Sequence, residues 1–293
     1  MRLAFVAASL FALSTAAFAA PSPLEAWKAS LLDDNKGWAA EPHAILKIQD
    51  AAYLGEGESA TLVGTKGKPG SWHWVTGTSA SGALIANVKG GHPVIVKDGK
   101  TYDDAQIAKG VAVDADVDIV GAPTQVSAGV IGARFMVFNQ RNPDAKAFKG
   151  VDYFPYDPGY IVTGRFTPDP RRAAHAFKTS RGTTKEFFHV GDAALVLNGK
   201  AVTLPFYADS SDPSKITTLA AFFTDGLTGK GAYGSGRYVD VDIKKFPPQS
   251  VTVDFNYAYN PNCSRSRFFT CPIATDNLDT EIKAGERDPH MAH

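Results

Sequence analysis

Polar and charged residues lie among the aromatic strand residues in the second half of the chain, and their side chains could bind a ligand or act in catalysis. On an alternating strand, Asp254 and Asn256 project to one face while Phe255 projects to the other. Arg237 could pair with Asp254. An arginine held in place by such a pair is suited to binding the carboxylate or phosphate group of a ligand. The full set is Asp157, Arg165, Asp225, Tyr233, Arg237, Asp254, Asn256, Tyr259, Asn260 and Glu286.

Several functions are compatible with this set. The leading hypothesis is a binding site for a small polar or amphipathic ligand in a β-lined cavity, with Arg237 and Asn256 as polar anchors. The alternative is a hydrolase that uses Asp254 or Asp225 as general base and Arg237 as electrostatic stabiliser. A structural envelope protein and a buried network that satisfies turns are also compatible. The predicted ligand-binding residues are Arg165, Asp225, Tyr233, Arg237, Asp254, Asn256 and Tyr259, beside the aromatic residues Phe154 and Phe255.

The only two cysteines, Cys263 and Cys271, lie in one proline-bounded loop. In an exported protein an even cysteine count favours a disulfide, and we expect Cys263 and Cys271 to be joined. Closing so short a loop stabilises a fold by roughly 2.5 kcal/mol in the chain-entropy model. A thiol nucleophile or a metal pair is the alternative interpretation.

Two further patterns carry little chemical information. The glycines at 229, 231 and 234 have the G-x-G-x-x-G spacing, but an alternating strand follows at 237–243 where a dinucleotide site needs a helix. We therefore expect a turn. The seven histidines show no paired metal-ligand spacing, so the sequence predicts no metal and no cofactor, and a metal site assembled from distant histidines is the alternative.

The elements that position these residues are mostly short strands. One helix is predicted near Leu24, Trp27 and Leu31, ending at Gly37, and a short helical pattern closes the chain before Gly285. Between them, runs rich in Val, Ile, Tyr and Phe alternate with turn residues. Candidate strands are 60–63, 71–75, 83–88, 92–96, 111–120, 126–131, 134–139, 160–166, 173–179, 184–190, 193–197, 202–208, 219–223, 237–243 and 250–256.

The predicted fold is mainly β, an antiparallel barrel-like or sandwich core with an N-terminal helix and a short C-terminal helix. Asp98-Gly99 and Asn198-Gly199 are expected to form tight hairpin turns. We assign residues 20–293 to a single mainly-β domain. A sub-boundary could fall near 141–158, where turn-forming Asn-Pro and Asp-Pro pairs cluster.

Residues 1–19 have the pattern of a secretory signal peptide. A basic Arg2 precedes an apolar run, and Ala17-Phe18-Ala19 is a small-x-small cleavage site. We therefore expect a periplasmic or secreted protein with no membrane span. The chain of 293 residues has 30 basic and 30 acidic residues, and this charge balance disfavours nucleic acid as a partner. The sequence leaves the oligomeric state open.

Three quoted stretches together resemble a known family. They are F-K-G-V-D-Y-F-P-Y-D-P-G-Y from Phe148, F-F-T-D-G-L-T-G-K-G-A-Y-G-S-G-R-Y-V from Phe222, and D-F-N-Y-A-Y-N-P-N-C from Asp254. They are similar to a bacterial family catalogued as domain of unknown function 1684. The resemblance extends over about 27–286 and is firm from Phe148 onward, although Leu227, Asn262 and the residues 273–275 depart from the family pattern. It implies no particular mechanism.

Overall fold

The structure, a computed structural model, describes residues 21–79 and 82–289, so the predicted signal peptide lies outside the described residues. The predicted N-terminal helix is confirmed as α1, Pro23–Asn35. The Ser22 side chain accepts a hydrogen bond from the Glu25 N–H, and this capping box fixes where the helix begins. The helix continues into a π-helical turn, Lys36–Ala40, so it does not end at Gly37.

The first half of the chain forms two antiparallel sheets. Their strand orders are β3-β2-β4-β5-β6 and β1-β9-β8-β7. Between them lies a core that includes Leu62, Ile95, Ile119 and Phe135, all fully buried. The elements are β1 (Ile48–Leu54), β2 (Ser59–Thr65), β3 (Lys68–Thr76), β4 (Leu84–Lys89), β5 (His92–Lys97), β6 (Lys100–Tyr102), α2 (Asp104–Lys109), β7 (Val111–Asp114), β8 (Val117–Ser127) and β9 (Val130–Asn139).

The second half forms a nearly closed barrel. Its strand order is β15-β14-β13-β12-β10-β16, and the edge strands β15 and β16 contact each other. Phe166, Phe206, Phe223 and Phe255 fill the interior. The elements are α3 (Pro143–Ala147), β10 (Ile161–Pro168), β11 (Ala174–Lys178), β12 (Thr184–Leu197), β13 (Lys200–Ala208), β14 (Thr218–Thr224), β15 (Arg237–Asp242), β16 (Ser250–Asp254) and β17 (Asp276–Asn277). The predicted mainly-β class is confirmed.

Local turn chemistry explains three of the boundaries between strands. Asp98 and Asn198 adopt positive φ angles of 50° and 51°, and both predicted hairpin turns form. The strand expected over 126–131 is wrong, because Gly129, with a φ of 71°, turns the chain between β8 and β9. The strand β1 and the helix α2 were not predicted.

The chain crosses from the first sheet pair to the barrel between β9 and β10. A separate apolar cluster joins the two units. In this cluster Ile48, Met136 and Phe138 of the first unit pack with Phe269 and Cys271 of the barrel unit. The loop 261–272 therefore lies between the two units.

The C-terminal segment is extended where a helical pattern was expected. The helical turns in this part of the chain are Phe255–Tyr257 and Asn262–Ser264, whereas residues 278–285 run along the barrel. The backbone N–H of Leu278 donates to Thr224 O, and Gly226 N–H donates to Thr280 O. Tertiary hydrogen bonds thus occupy the backbone groups that a helix would use internally.

The N-terminal helix α1 docks on the barrel. Trp27 is buried, and its indole Nε1 donates a hydrogen bond of 2.9 Å to Asn256 O. The Tyr153 hydroxyl donates a second hydrogen bond, of 2.8 Å, to Asp34 near the end of α1. In the described part of the chain, no helix has the length and apolar character needed to cross a membrane.

Candidate functional site

Arg237 lies inside the protein, at the start of β15. Its side chain is 1% exposed, and its Nη2 donates to Asp225 Oδ2 at 2.7 Å and to Ile282 O at 2.9 Å. Its Nη1 donates to Ala284 O in a very short contact. The predicted pair of Arg237 with Asp254 is wrong, because Asp225 is the carboxylate that meets the guanidinium.

Asp225 is saturated by protein donors. Besides Arg237, it accepts hydrogen bonds from the N–H groups of Leu227 and Ile282 and from the Thr228 hydroxyl. Its side chain has no exposed surface. The pair therefore fixes the extended C-terminal segment against the barrel, and the guanidinium faces carbonyl groups rather than a cavity.

Asp254 and Asn256 organise a turn. The backbone of Asn256 has left the strand for the helical turn Phe255–Tyr257, so the two residues do not alternate as predicted. Asp254 Oδ1 accepts from the backbone N–H and the Nδ2 of Asn256, at 2.9 and 2.8 Å. Asn256 Oδ1 accepts from Asp157 N–H. This network holds the end of β16.

The other predicted residues lie apart. Arg165 is exposed on β10, and Phe255 is buried in the barrel core. Tyr233 lies next to Cys263 and Ser235, and burial raises its pKa. Tyr259 reaches a pronounced concave surface, where its hydroxyl donates to Asp240 Oδ2 at 2.8 Å.

That surface is an aromatic groove on the outer face of the barrel, with a volume of about 310 Å³. Its rings form a continuous chain, since Phe222 lies 5.1 Å from Phe187 and 4.6 Å from Tyr238, and Tyr238 lies 5.7 Å from Tyr259. Tyr207 stacks on Phe222 at 5.8 Å. The aromatic groove is lined by Phe187, Tyr207, Ala208, Asp209, Thr218, Ala220, Phe222, Tyr238, Asp240, Tyr259 and Pro272.

Two carboxylates, Asp209 and Asp240, belong to the aromatic groove, and none of the described residues that line it is basic. Burial raises the pKa of Asp240, and the neighbouring Asp242 adds to this effect. Burial also raises the pKa of Tyr259, so its hydroxyl stays protonated and donates to Asp240. The aromatic groove thus combines an apolar wall with negative charge.

Most groove residues were missed, although the sequence holds a signal for them. Aromatic pairs occur in three neighbouring strands, as Phe187-Phe188, Phe206-Tyr207 and Phe222-Phe223. Because adjacent strand residues face opposite sides of a sheet, each pair supplies one ring to the barrel core and one to the outer face.

Cys263 and Cys271 are adjacent in space. Both thiols are free in the structure, and Cys263 N–H points at Cys271 Sγ at 3.4 Å. The hydrogen bond from the Cys271 thiol, with others from Ser180 and Tyr233, lowers the pKa of Cys263 to about 7. That hydrogen bond and burial raise the pKa of Cys271. Cys263 is therefore the more nucleophilic thiol of the two.

Metal binding has no evident site among the described residues. In the ranges 21–79 and 82–289, no group of three or more His, Cys, Asp or Glu residues is arranged to hold a metal ion.

The fold and these contacts define a two-unit, mainly-β protein whose barrel has a groove on its outer face. Residues 146–287 match the model of a family described as "Protein of unknown function (DUF1684)", so the barrel half of the chain is similar to that family. Among solved structures, an uncharacterized protein of Haloarcula marismortui, determined by NMR in solution, is 32% identical. That match covers 50% of this chain and 80% of that protein, with a TM-score of 0.43. No curated protein matches the chain.

The substitution Asp225→Asn tests the structural role of the buried ion pair. It leaves the Arg237 charge without a carboxylate, and we expect the free energy of unfolding to fall by about 3–5 kcal/mol. Urea unfolding followed by tryptophan fluorescence measures the change. The control is Asp33→Asn, at an exposed pair with Lys36, where the change should be within about 1 kcal/mol. Equal effects of the two substitutions would contradict a structural role.

The reactivity of Cys263 should depend on pH. Thiolate is the reactive form, so alkylation of the reduced protein by iodoacetamide should reach half its maximal rate near pH 7. Below that pH the thiol is protonated and the rate falls. Peptide mapping should place the label on Cys263 before Cys271. A half-maximum near the ordinary cysteine value, or first labelling of Cys271, would refute the proposed hydrogen-bond network.

Proposed function

We propose that this chain is an exported protein that binds a small amphipathic organic cation in the aromatic groove. The observation that carries the proposal is the chain of rings from Phe187 to Tyr259 beside the Asp240 carboxylate. Aromatic faces attract cations through their quadrupoles, and rings arranged around a pocket are a common means of recognising quaternary ammonium groups. A carboxylate at the wall adds a full charge to the same preference.

The location of the aromatic groove supports a binding role. The barrel interior is filled by phenylalanine side chains, so a ligand site on this unit has to lie outside it. The rings of Tyr207, Phe222 and Tyr238 are buried in neighbouring strands and packed against one another, so they are held before any ligand arrives. A rigid wall lowers the entropy cost of binding.

The hydrolase alternative gains less support from the geometry. A general base needs a water or substrate hydroxyl within hydrogen-bonding reach. Asp225 has no exposed side-chain surface and is surrounded by protein donors, while Asp254 caps the turn at Asn256. A role as a structural envelope protein rests on exposed strand edges and predicts no small ligand.

The binding proposal predicts selective affinity for a cation. We expect choline to bind more tightly than its uncharged carbon isostere, in which a tert-butyl group replaces the trimethylammonium group, as measured by ligand-detected NMR titration. Asp240→Asn should weaken choline binding by about tenfold, or about 1.4 kcal/mol. Affinity should be highest where Asp240 is ionised and should fall as the pH drops through its raised pKa.

The matched control is Glu281→Gln, which removes a carboxylate exposed to solvent and paired with Lys283. This substitution should leave choline affinity unchanged. Equal affinity for choline and its uncharged isostere would contradict the proposal that the ligand is a cation. Unchanged choline affinity in Phe222→Leu would contradict the aromatic groove as the binding site.

Export and the disulfide form the second part of the proposal. We expect the signal peptide to be removed so that the mature chain begins at Ala20. In the oxidising compartment Cys263 and Cys271 would then form a disulfide, passing two electrons and two protons to a disulfide-bearing thiol oxidoreductase, which is reduced to its dithiol. The side-chain hydrogen bond between the two thiols supports this step.

Protein recovered from the periplasm should therefore start at Ala20, should resist alkylation and should unfold with a free energy raised by roughly 2.5 kcal/mol over the reduced form. Intact mass and N-terminal sequencing measure the first two properties. Cys271→Ser is the control, because its remaining thiol should label. Two free thiols in periplasmic protein, or a retained N-terminus, would contradict this part of the proposal.

A further inference from the structure

A second cleft lies between the two β units, beside the loop 261–272. It contains two cavities of about 390 and 660 Å³, and both are lined by Leu46, Asp144 and Arg265. Ser266 and Arg267 complete the smaller cavity from the barrel side. Clefts between structural units are frequent ligand sites.

Arg265 is held rigidly at the floor of this cleft. Its side chain is 8% exposed and forms a very short ion pair with Glu286, which is 2% exposed. The guanidinium also lies over the Trp38 ring, 4.6 Å from its centre. Glu286 is itself fixed, because its Oε2 accepts a 2.7 Å hydrogen bond from Asn260 N–H. Two independent contacts therefore orient the guanidinium plane.

This anchoring leaves donors unused. A guanidinium has five N–H donors, and Glu286 is the carboxylate that pairs with Arg265 among the described residues. The hydroxyl of Ser266, a residue 7% exposed, has no hydrogen-bond partner among the described residues, and Ser266 lines the smaller cavity. Native proteins rarely leave buried polar groups unsatisfied, so an acceptor is expected to enter here from outside.

Charge and geometry point to an oxyanion as that acceptor. Arg265 and Arg267, the sequence neighbours of Ser266, line the smaller cavity with it, and Asp144 is the one carboxylate among the described lining residues. The planar fork of arginine matches the two oxygens of a carboxylate or phosphate, and a serine hydroxyl donates to either. We infer that the cleft between the β units binds a small oxyanion, a carboxylate or a phosphate group, through Arg265 and Ser266.

The experiment titrates the full mature protein with inorganic phosphate and, separately, with acetate, using calorimetry at low ionic strength. Saturable binding of one or both is expected, and the tighter ligand identifies the chemical class. Arg265→Gln should lower affinity at least tenfold. Arg171→Gln is the matched control, since Arg171 is an exposed arginine beside Asp169 and should leave the affinity unchanged.

Arg265→Gln also leaves Glu286 unpaired, so a variant that fails to fold would be replaced by Ser266→Asp. That substitution adds a negative charge at the cavity and should abolish binding, while Ser266→Ala should weaken it several-fold. Absence of saturable binding to both anions, or unchanged affinity in Ser266→Asp, would overturn the inference. Binding in the choline assay does not depend on these residues, so the two proposals succeed or fail separately.

Discussion

The buried pair of Arg237 and Asp225 is the interaction on which the rest of the barrel unit depends. Removing an arginine and an aspartate from water is costly, and the cost is offset only when every donor and acceptor is satisfied. Here the satisfying groups are carbonyl and amide groups of residues 282–284. The charge pair thus requires the C-terminal segment to be extended and close. In turn, that segment brings Glu286 to Arg265 at the cleft between the units.

The barrel uses the two faces of one sheet differently. Inner rings such as Phe206 and Phe223 fill a core, while the outer rings of Tyr207 and Phe222 form a wall. A substitution in one aromatic pair therefore affects stability or the aromatic groove according to which member changes. Because the proposed binding surface lies outside the barrel, ligand binding does not require a cavity in the barrel core, and the core can be fully packed.

Local signals in the sequence predicted the strands well. Asp98-Gly99 and Asn198-Gly199 form turns because their backbone preferences act within a few residues. The site was harder to predict, because Arg237 had two plausible carboxylates and the sequence does not specify which one lies nearby. The same limit explains why an extended segment was expected to be helical, since its carbonyl groups at Ile282 and Ala284 accept from Arg237, which lies 45 and 47 positions away in the sequence. The aromatic pairs were readable from strand periodicity, but the sequence does not show which ring of each pair faces the barrel core and which faces outward.

The hydrogen bond from Trp27 to Asn256 joins residues 229 positions apart. The first helix of the described chain therefore has no docking site until nearly all of the chain is available. A chain that emerges from its N-terminus first would hold α1 as an unpartnered segment, with Trp27 exposed, while both β units assemble. Docking of α1 would then be a late step in folding, and burial of Trp27 would report completion of the barrel rather than its beginning.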